Sequence, residues 1–525
     1  MKLITELKLP IEHTKQSLIF EIAKRAKISP NLIKKFEIIK MGIDARKKPK
    51  IFFVYNVAIE VDKGIEHKLK NFEDITPDHS GLNYKKVSSN CQPVIVGFGP
   101  SGMFCALSLA LAGLHPIILE QGKDVEARQK DVENFWHNRV LNEYSNVQFG
   151  EGGAGTFSDG KLNTTLNNIY CKKVVNEFIL NGAPKEIYYK NKAHIGTDNL
   201  RLIVKNIRKK IIENGGKIIF NSKMTNFDTQ NAQIINVQYL DVLTNNYYTI
   251  NTNCLILAIG HSAFNTFELL QNKNIKMNKK PFAIGVRIEH PQDVINFAQY
   301  GIKQSKYLPS ADYKLVEHLP NGRSVFTFCM CPGGKVVASS SEKETIVTNG
   351  MSDFTRSENN ANSALLVNVR PEDFPNENAL SGFMLQKECE RKAYVIAGKN
   401  YNAPAMSVGE FLHNEKCKTI ESSYLPNITM CNLQDCLPNF VIESLKQALV
   451  LFDKKINGFG ASSNLLIAPE TRSSCPVQFE RDENYICTIN GLFACGEGSG
   501  FAGGIVSSAV DGIKCAEKIM KLFKQ

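Results

Sequence analysis

The stretch from Val94 to Leu119 contains no Asp, Glu, Lys or Arg, and it is followed directly by Glu120. An apolar run of this length is long enough to cross a bilayer as a helix. Glycines and prolines interrupt it, however, at Gly97, Gly99, Pro100, Gly102, Gly113 and Pro116. The pattern therefore predicts a strand buried on both faces, a tight turn, a short helix and a second strand. This βαβ unit is typical of an α/β protein with a Rossmann-like parallel sheet, and we expect no membrane span in it.

The turn of this unit has the spacing Gly97-x-Gly99-x-x-Gly102, which occurs in dinucleotide-binding proteins. The first glycine of that motif permits the turn, the second lets the backbone approach a pyrophosphate, and the third allows close helix–strand packing. The helix N terminus attracts phosphate, and Glu120 can accept hydrogen bonds from a ribose diol. An acid at this position indicates FAD or NAD rather than NADP. The alternative is a glycine-rich turn that binds nothing.

A second motif lies near the other end of the chain. The apolar segment 488–495 is followed by Gly496-Glu497 and by the glycine-rich stretch 498–504. Flavoproteins with one dinucleotide domain use a carboxylate at such a strand end to hold the ribityl chain, a role that we assign to Glu497. The helix predicted after Gly504 would favour an anionic reduced flavin by about 0.3–2 kcal/mol. The alternative is an ordinary buried helix. Together the two motifs predict FAD bound by one discontinuous domain.

The segment from Gly155 to Leu162 matches a phosphate-binding P-loop except at its last position. That position is Leu162, which has no hydroxyl group to bind Mg²⁺. The mismatch argues against a P-loop nucleotidase, and the glycine-rich stretch 150–161 is interpreted as a loop whose backbone contacts a ligand.

Length and charge predict how the 525 residues are divided. Residues 1–90 carry 18 Lys and Arg against 11 Asp and Glu, a large part of the net charge of +11, which marks a separate N-terminal unit. The expected domains, in chain order, are a small basic α/β (ferredoxin-like) module in 1–75, a linker in 76–92, an FAD-binding domain formed by 93–275 and 456–525, and an inserted α+β substrate domain in 276–455.

The first fifteen residues scatter charges where a signal peptide would be apolar, so we expect a cytoplasmic protein. Its fourteen cysteines are then expected to be reduced. Their spacings match no zinc pattern, so we expect no metal site.

The chain resembles a bacterial family of FAD-dependent dehydrogenases whose reaction is not established, within the glutathione-reductase-like flavoprotein superfamily. The resemblance covers nearly the whole chain and rests on segments such as IVGFGPSGMF (95–104), FGEGGAGTFSDGKLNT (149–164), LAIGHSA (257–263), PFAIGVRIEHP (281–291), FCMCPGGKVVASSSE (328–342), NGMSDFTR (349–356), PETRSSCPV (469–477) and LFACGEGSGFAGGIVSSAVDG (492–512). It implies an FAD fold with an inserted domain and the isoalloxazine ring at the junction of the two.

The resemblance also implies which residues contact FAD. Three groups carry this role, in the ADP-binding turn, the glycine loop and the two return strands: Gly97, Gly99, Pro100, Ser101, Gly102, Glu120 and Gln121; Gly153, Ala154, Gly155 and Lys161; Ala258, Gly260, Gly496, Glu497, Gly498, Gly504 and Ile505. One position departs from the pattern, because most relatives in the superfamily have Asp where this chain has Glu497. The longer side chain can still reach the ribityl hydroxyl groups.

Catalytic residues are harder to assign. In the predicted insertion, Arg287 can pair with an anionic substrate, and His290 is suited to acid–base chemistry near neutral pH. The competing interpretation, which we favour, is that Arg287 and Glu289 form structural ion pairs and that His290 is half-buried. Cys329 and Cys331 form either a redox dithiol or two packing cysteines, and their spacing favours packing.

These features predict an FAD-dependent oxidoreductase that transfers hydride through flavin N5 to or from a small molecule. No second dinucleotide motif follows residue 122, so NAD(P)H is expected only as a transient partner. The alternative is a flavin-dependent RNA-modifying or RNA-binding protein, in which the basic turn Arg46–Lys50 contacts nucleic acid.

Overall fold

The computed structural model describes residues 1–89, 91–164, 166, 168–415 and 421–523. The chain begins with a small α/β unit whose elements are β1 (Lys2–Pro10), α1 (Lys15–Ala26), β2 (Ile33–Lys47) and β3 (Lys50–Val61). The strands are antiparallel in the order β1-β3-β2. A 3₁₀ turn over Lys63–Leu69 and a single bridge from Asp74 to Lys2 follow. This order is compatible with the expected ferredoxin-like arrangement, with its last helix and strand reduced to that turn and bridge.

Residues 76–89 run across the surface without regular secondary structure. They are bound to the helix Ile169–Leu180, because Glu177 Oε1 accepts a hydrogen bond from Leu82 N at 2.6 Å and Lys173 pairs with Asp78 at 3.0 Å.

The central part of the chain alternates strands and helices as the sequence predicts. Its elements are β4 (Val94–Val96), α2 (Pro100–Leu111), β5 (Ile117–Leu119), α3 (Val125–Asn138), α4 (Ile169–Leu180), α5 (Thr197–Glu213), β6 (Lys217–Ile219), β7 (Ser222–Gln230), β8 (Gln233–Asp241), β9 (Asn246–Asn251), β10 (Leu255–Leu257) and α6 (Phe264–Asn272).

A mixed α+β segment follows, and then a last strand and helix. The elements of the mixed segment are β11 (Met277–Lys279), β12 (Phe282–Pro291), α7 (Gln292–Tyr300), β13 (Val316–His318), β14 (Ser324–Cys331), β15 (Lys335–Ala338), β16 (Thr348–Met351), β17 (Asn360–Val369), α8 (Ser381–Ile396), β18 (Ala403–Ser407), α9 (Val408–His413), β19 (Ile428–Met430), α10 (Asn439–Lys455), β20 (Leu465–Glu470) and β21 (Val477–Phe479). The last two are β22 (Leu492–Ala494) and α11 (Ile505–Leu522).

The parallel sheet has the order β6-β5-β4-β10-β22. Numbered along the chain, this is 3-2-1-4-5, the strand order of dinucleotide-binding folds. Successive side chains of β4 enter different cores, since Ile95 packs on the side of α2 and α11 while Val94 and Val96 face the opposite layer. Burial on both faces explains why the strand is apolar throughout.

The second large sheet has the order β13-β14-β17-β12-β20-β18-β19. Strand β20 lies inside it, antiparallel to β12 and β18, so residues 465–470 belong with the inserted segment. The boundary that we expected at residue 456 therefore differs from the structure. An apolar strand carries no local mark of which sheet it joins, and of the described strands after β10 only β22 returns to the parallel sheet.

Within the described part of the chain, no helix combines the length and apolar character that crossing a membrane requires.

Candidate functional site

The turn after β4 lies at the carboxyl edge of the parallel sheet, between β4 and β10. Gly97 has φ +99°, and a Cβ there would lie 2.4 Å from the carbonyl oxygen of Ala258. A Cβ at Gly102 would lie 2.0 Å from the carbonyl oxygen of Gly97. The turn, the helix behind it and the neighbouring strand are therefore as close as glycine permits. This edge is the switch point at which ligands bind in such sheets.

Helix α2 points its N terminus into this edge. It starts at Pro100, after Gly99, and none of the described side chains caps it. The first N–H groups of an uncapped helix are available to an anion. Ser101 is buried behind the turn, where its hydroxyl group donates to Cys495 Sγ at 3.0 Å. The Ser101 side chain thus supports the turn from behind.

Glu120 is buried at the end of β5, next to the half-buried Gln121. Its carboxylate accepts three backbone hydrogen bonds, from Phe98 N at 2.8 Å, Gly122 N at 2.9 Å and Gly150 N at 2.9 Å. A carboxylate offers about four acceptor positions. Glu120 therefore joins three loops at the edge of the sheet and still has capacity for a ribose hydroxyl group.

The glycine loop 150–155 lies directly against the turn after β4. Gly152 N donates to Phe98 O at 2.9 Å. A Cβ at Gly153 would lie 2.9 Å from Gly99 Cα, and one at Gly155 would lie 3.0 Å from Ile505 Cγ1. The 3₁₀ turn Ala154–Phe157 continues the loop. The loop thus bridges the start of α2 and the start of α11.

Arg128 of α3 holds this loop, and our sequence analysis missed it. The buried guanidinium group donates to the carbonyl oxygens of four residues, at 2.8, 2.9, 2.6 and 3.0 Å: Asn146, Val147, Glu151 and Gly153. A signal was present in the sequence, because Arg128 occupies a position of the apolar face of α3 that also contains Val125, Val132, Phe135 and Trp136. A charged residue at a core-facing position requires internal partners.

The two return strands end side by side. A Cβ at Gly498 would lie 2.5 Å from the carbonyl oxygen of Gly260, so the loops after β10 and β22 are in contact. Gly496 N donates to Asp511 Oδ2 of α11 at 2.7 Å. Glu497 follows with its side chain 23% exposed, and its Oε1 atom lies 3.5 Å from His261 Nδ1.

Helix α11 starts at Ile505, which is half-buried, after the exposed Gly504. The hydroxyl group of Ser507 accepts a hydrogen bond from Gly504 N at 3.0 Å. No described acidic residue lies in the first turn, so its partial positive charge is not neutralised from within the helix.

Lys161 joins the glycine loop to the inserted segment. Its ammonium group lies 2.9 Å from Asp159 Oδ2 and donates to the carbonyl oxygen of Met330. Asp159 is buried and also pairs with Arg356, at 2.9 and 2.5 Å. Burial would raise the pKa of Asp159, but Lys161 and Arg356 outweigh it and hold that pKa well below its usual value. The cation expected near the cofactor is therefore also an interdomain contact.

Arg287 is fully buried in an ion pair. It donates to both carboxylate oxygens of Glu470, at 3.0 and 2.6 Å, and to Asn362 Oδ1 at 2.9 Å. The partner is on β20, opposite β12. This geometry matches the structural interpretation rather than substrate binding.

His290 is buried as well, more deeply than the half-buried site we expected. Its Nε2 atom lies 2.9 Å from the Tyr313 hydroxyl group and its Nδ1 atom 3.1 Å from Asn464 Nδ2. Burial lowers the pKa of His290 to about 3. A neutral, enclosed imidazole cannot exchange protons with a substrate near pH 7.

The two cysteines of β14 differ. Cys331 is buried, and its thiol donates to the carbonyl oxygen of Cys329 at 3.2 Å. Cys329 is exposed and has φ +43° at an irregularity of the strand. The surrounding protein atoms desolvate its thiol and raise the pKa of that group to about 11. Neither group has the lowered thiol pKa typical of a redox dithiol.

The residues at the sheet edge fit the ADP and ribityl parts of FAD. An added Cβ would meet no described atom within 4 Å at either Gly260 or Gly503, so both border open space. Uncapped N–H groups at the start of α2, the Glu120 carboxylate and the Glu497 carboxylate lie on different segments at this edge of the sheet. Pyrophosphate, ribose and ribityl hydroxyl groups require this donor and acceptor set.

Comparison with known proteins identifies relatives. Residues 281–473 match the family model described as FAD-dependent protein, C-terminal domain-like, and residues 1–60 match a domain of unknown function. An uncharacterized protein of Clostridium beijerinckii is 44% identical over an alignment of 535 positions, which covers 99% of this chain and 98% of that protein. The chain therefore belongs to the same family as this protein. The match to the FAD-dependent family model agrees with the donor and acceptor set of the site, and FAD is the cofactor.

Solved structures show weaker likeness. The Escherichia coli quinol fumarate reductase flavoprotein aligns over 83% of this chain and 70% of its own, with 11% identity and a TM-score of 0.37. A 3-ketosteroid dehydrogenase of Rhodococcus jostii aligns over 83% and 97%, with 11% identity and a TM-score of 0.36. Likeness at this level carries no argument about function.

Proposed function

We propose that this chain, which belongs to the same family as the uncharacterized Clostridium protein and matches the FAD-dependent family model over residues 281–473, is a flavin oxidoreductase. In this proposal FAD lies across the carboxyl edge of the parallel sheet, and a small substrate binds between the glycine loop and the inserted segment.

One observation carries the proposal: three glycine-containing segments meet at this edge. In the glycine loop, Gly153 lies against Gly99, since a Cβ on Gly153 would be 2.9 Å from Gly99 Cα. Gly155 lies against Ile505, since a Cβ on Gly155 would be 3.0 Å from Ile505 Cγ1. Two helix N termini, those of α2 and α11, thereby flank one loop. A dinucleotide with a central diphosphate and an electron-accepting ring at its far end requires positive potential at two separated points.

Each group would then have a defined task. Glu120 would hold the ribose at the ADP end, α2 the pyrophosphate, and Glu497 the ribityl chain. The partial positive charge at the start of α11 would stabilise negative charge on the ring. Bound FAD supplies hydride acceptance at N5, and the protein supplies binding, orientation and electrostatics.

The side chains between the two parts of the molecule favour a small polar substrate. Lys161 is 27% exposed at this junction. Burial would lower the pKa of Lys161, but its salt bridge with Asp159 opposes burial and that pKa is raised. Lys161 therefore stays cationic and can attract an anionic group, while the exposed Cys329 beside it stays a neutral thiol.

Anaerobic titration of the purified holoprotein tests the proposal. NADH, NADPH and a panel of small metabolites are added in turn, and bleaching of the flavin absorbance is followed. We expect at least one donor to reduce the flavin, and the Lys161→Met variant to need a higher concentration of an anionic donor. The proposal would be contradicted if dithionite reduces the flavin but no member of the panel does.

No observation favours the RNA alternative. Arg46 is paired with Asp44 at 2.7 Å, and Lys48 donates to the carbonyl oxygen of Ala298. The basic turn therefore packs on the end of α7, with part of its charge already neutralised.

A further inference from the structure

His261 and Glu497 present two hydrogen-bond acceptors to each other. The Glu497 Oε1 atom accepts a hydrogen bond from Cys475 N at 2.8 Å and lies 3.5 Å from His261 Nδ1. The two residues follow β10 and β22, the neighbouring strands whose loops meet at Gly260 and Gly498. The pair thus belongs to the carboxyl edge of the sheet.

The orientation of Gln386 determines the tautomer of a neutral His261. Gln386 donates through Nε2 to the carbonyl oxygen of Thr471 at 2.9 Å, so its Oε1 atom is the acceptor that lies 3.0 Å from His261 Nε2. The imidazole proton must then be on Nε2. The Nδ1 atom carries a lone pair directed towards the carboxylate.

This lone pair has no partner in the described structure. The His261 side chain is only 7% exposed, and Nδ1 is buried without a hydrogen bond among the described residues. Buried polar atoms in native proteins are nearly always satisfied, so an orphaned acceptor indicates a missing donor. Gly260, directly before His261, borders open space.

We propose that His261 Nδ1 and Glu497 Oε1 form a two-acceptor clamp for hydroxyl groups of the FAD ribityl chain, with Gln386 as its positioning residue. A hydroxyl group donates to either acceptor and satisfies the buried nitrogen, which neither residue can do for the other. The inference rests on the placement of Glu497 given under the proposed function. It does not require that the enzyme turn over any particular substrate.

Two matched variants separate the acceptor from the contact with Gln386. In His261→Asn the side-chain oxygen can take the position of Nδ1, whereas His261→Gln keeps a donor near Nε2 and loses the acceptor. Apoprotein of each is titrated with FAD and, separately, with ADP, and the apo melting temperature is recorded. We expect His261→Gln to weaken FAD binding by about 10-fold or more and His261→Asn to bind FAD nearly as the wild type does, with ADP binding unchanged in both.

Three results would overturn the clamp: wild-type FAD affinity in His261→Gln, an equal loss of FAD and ADP affinity, or a ¹⁵N spectrum that shows both ring nitrogens protonated at pH 7.5. The last would mean that His261 and Glu497 form a direct ion pair. If wild-type apoprotein binds ADP but not FAD, the placement of the flavin itself fails. If FAD binds and is reduced while the His261→Gln variant behaves as wild type, only the clamp fails.

Discussion

Arg128 lies so close to Gly150 that a Cβ at that glycine would meet Arg128 Cδ at 2.4 Å. The contact explains why the loop is glycine here, because its φ of +124° also disfavours other residues. The guanidinium group then donates to two carbonyl oxygens of the glycine loop and to two of the segment just before it. The shape of the glycine loop thus depends on one buried cation.

We expect Arg128→Met to lower the free energy of unfolding by about 3–5 kcal/mol, since four buried carbonyl oxygens lose their donors. Urea denaturation measures the change, and FAD retention through gel filtration should fall with it. Arg25→Met, at an exposed site on α1, is the control and should change neither. Full stability of Arg128→Met would show that the loop holds its shape without the cation.

Glu120→Ala should weaken FAD binding by about 10-fold or more, because both the ribose acceptor and the anchor of three backbone N–H groups are lost. Equilibrium titration of apoprotein checks this. The exposed Glu133→Ala on α3 serves as the matched control. Unchanged FAD affinity in Glu120→Ala would remove the role assigned to this carboxylate.

Arg287→Met should destabilise the inserted segment by about 3–5 kcal/mol, because Glu470 would remain as an uncompensated buried charge. Adding Glu470→Gln should restore part of the loss, so that the two effects are not additive. Chemical denaturation of the two single variants and the double variant forms the test. A stable Arg287→Met protein with impaired turnover would instead support a catalytic role for Arg287.

Acid should destabilise the protein partly through His290. Burial lowers the pKa of His290 from 6.5 to about 3 in the folded state. Below pH 6.5 the unfolded chain binds a proton that the folded chain excludes until about pH 3, so the free energy of unfolding declines as the pH falls through this window. Between pH 6.5 and 5 the loss from this residue is about 2 kcal/mol.

His290→Gln should therefore lose about 2 kcal/mol less than the wild type between pH 6.5 and 5, as measured by urea unfolding. The exposed His67→Gln is the control. An identical pH dependence in His290→Gln and wild type would mean that His290 is not buried in the neutral form.

Motifs contained within a short stretch of sequence predicted the corresponding parts of the fold. Val94–Glu120 is one such unit, because its strand, turn and helix are adjacent in sequence and the spacing of its glycines has a direct steric cause. Strand β20 was assigned to the wrong segment, since its neighbours β12 and β18 come from distant parts of the chain. An apolar strand can be buried in either sheet, so its own residues do not indicate which sheet it joins.

The site shows the same division. The glycine positions and the two carboxylates are visible as motifs, whereas the partners of Arg287 and Lys161 are not. Glu470 lies 183 residues from Arg287, and Met330 lies 169 residues from Lys161. Pairings at such separations depend on how the sheets meet, which composition and spacing do not encode.

The parallel sheet takes its last strand, β22, from a part of the chain far beyond the strand that it adjoins, β10. During synthesis on the ribosome, the turn after β4 is therefore complete long before Glu497 has been made. A nascent chain in that interval has the turn after β4 and lacks the loop that follows β22. If FAD binds across both segments, as we propose, stable loading of the cofactor must await the synthesis of β22.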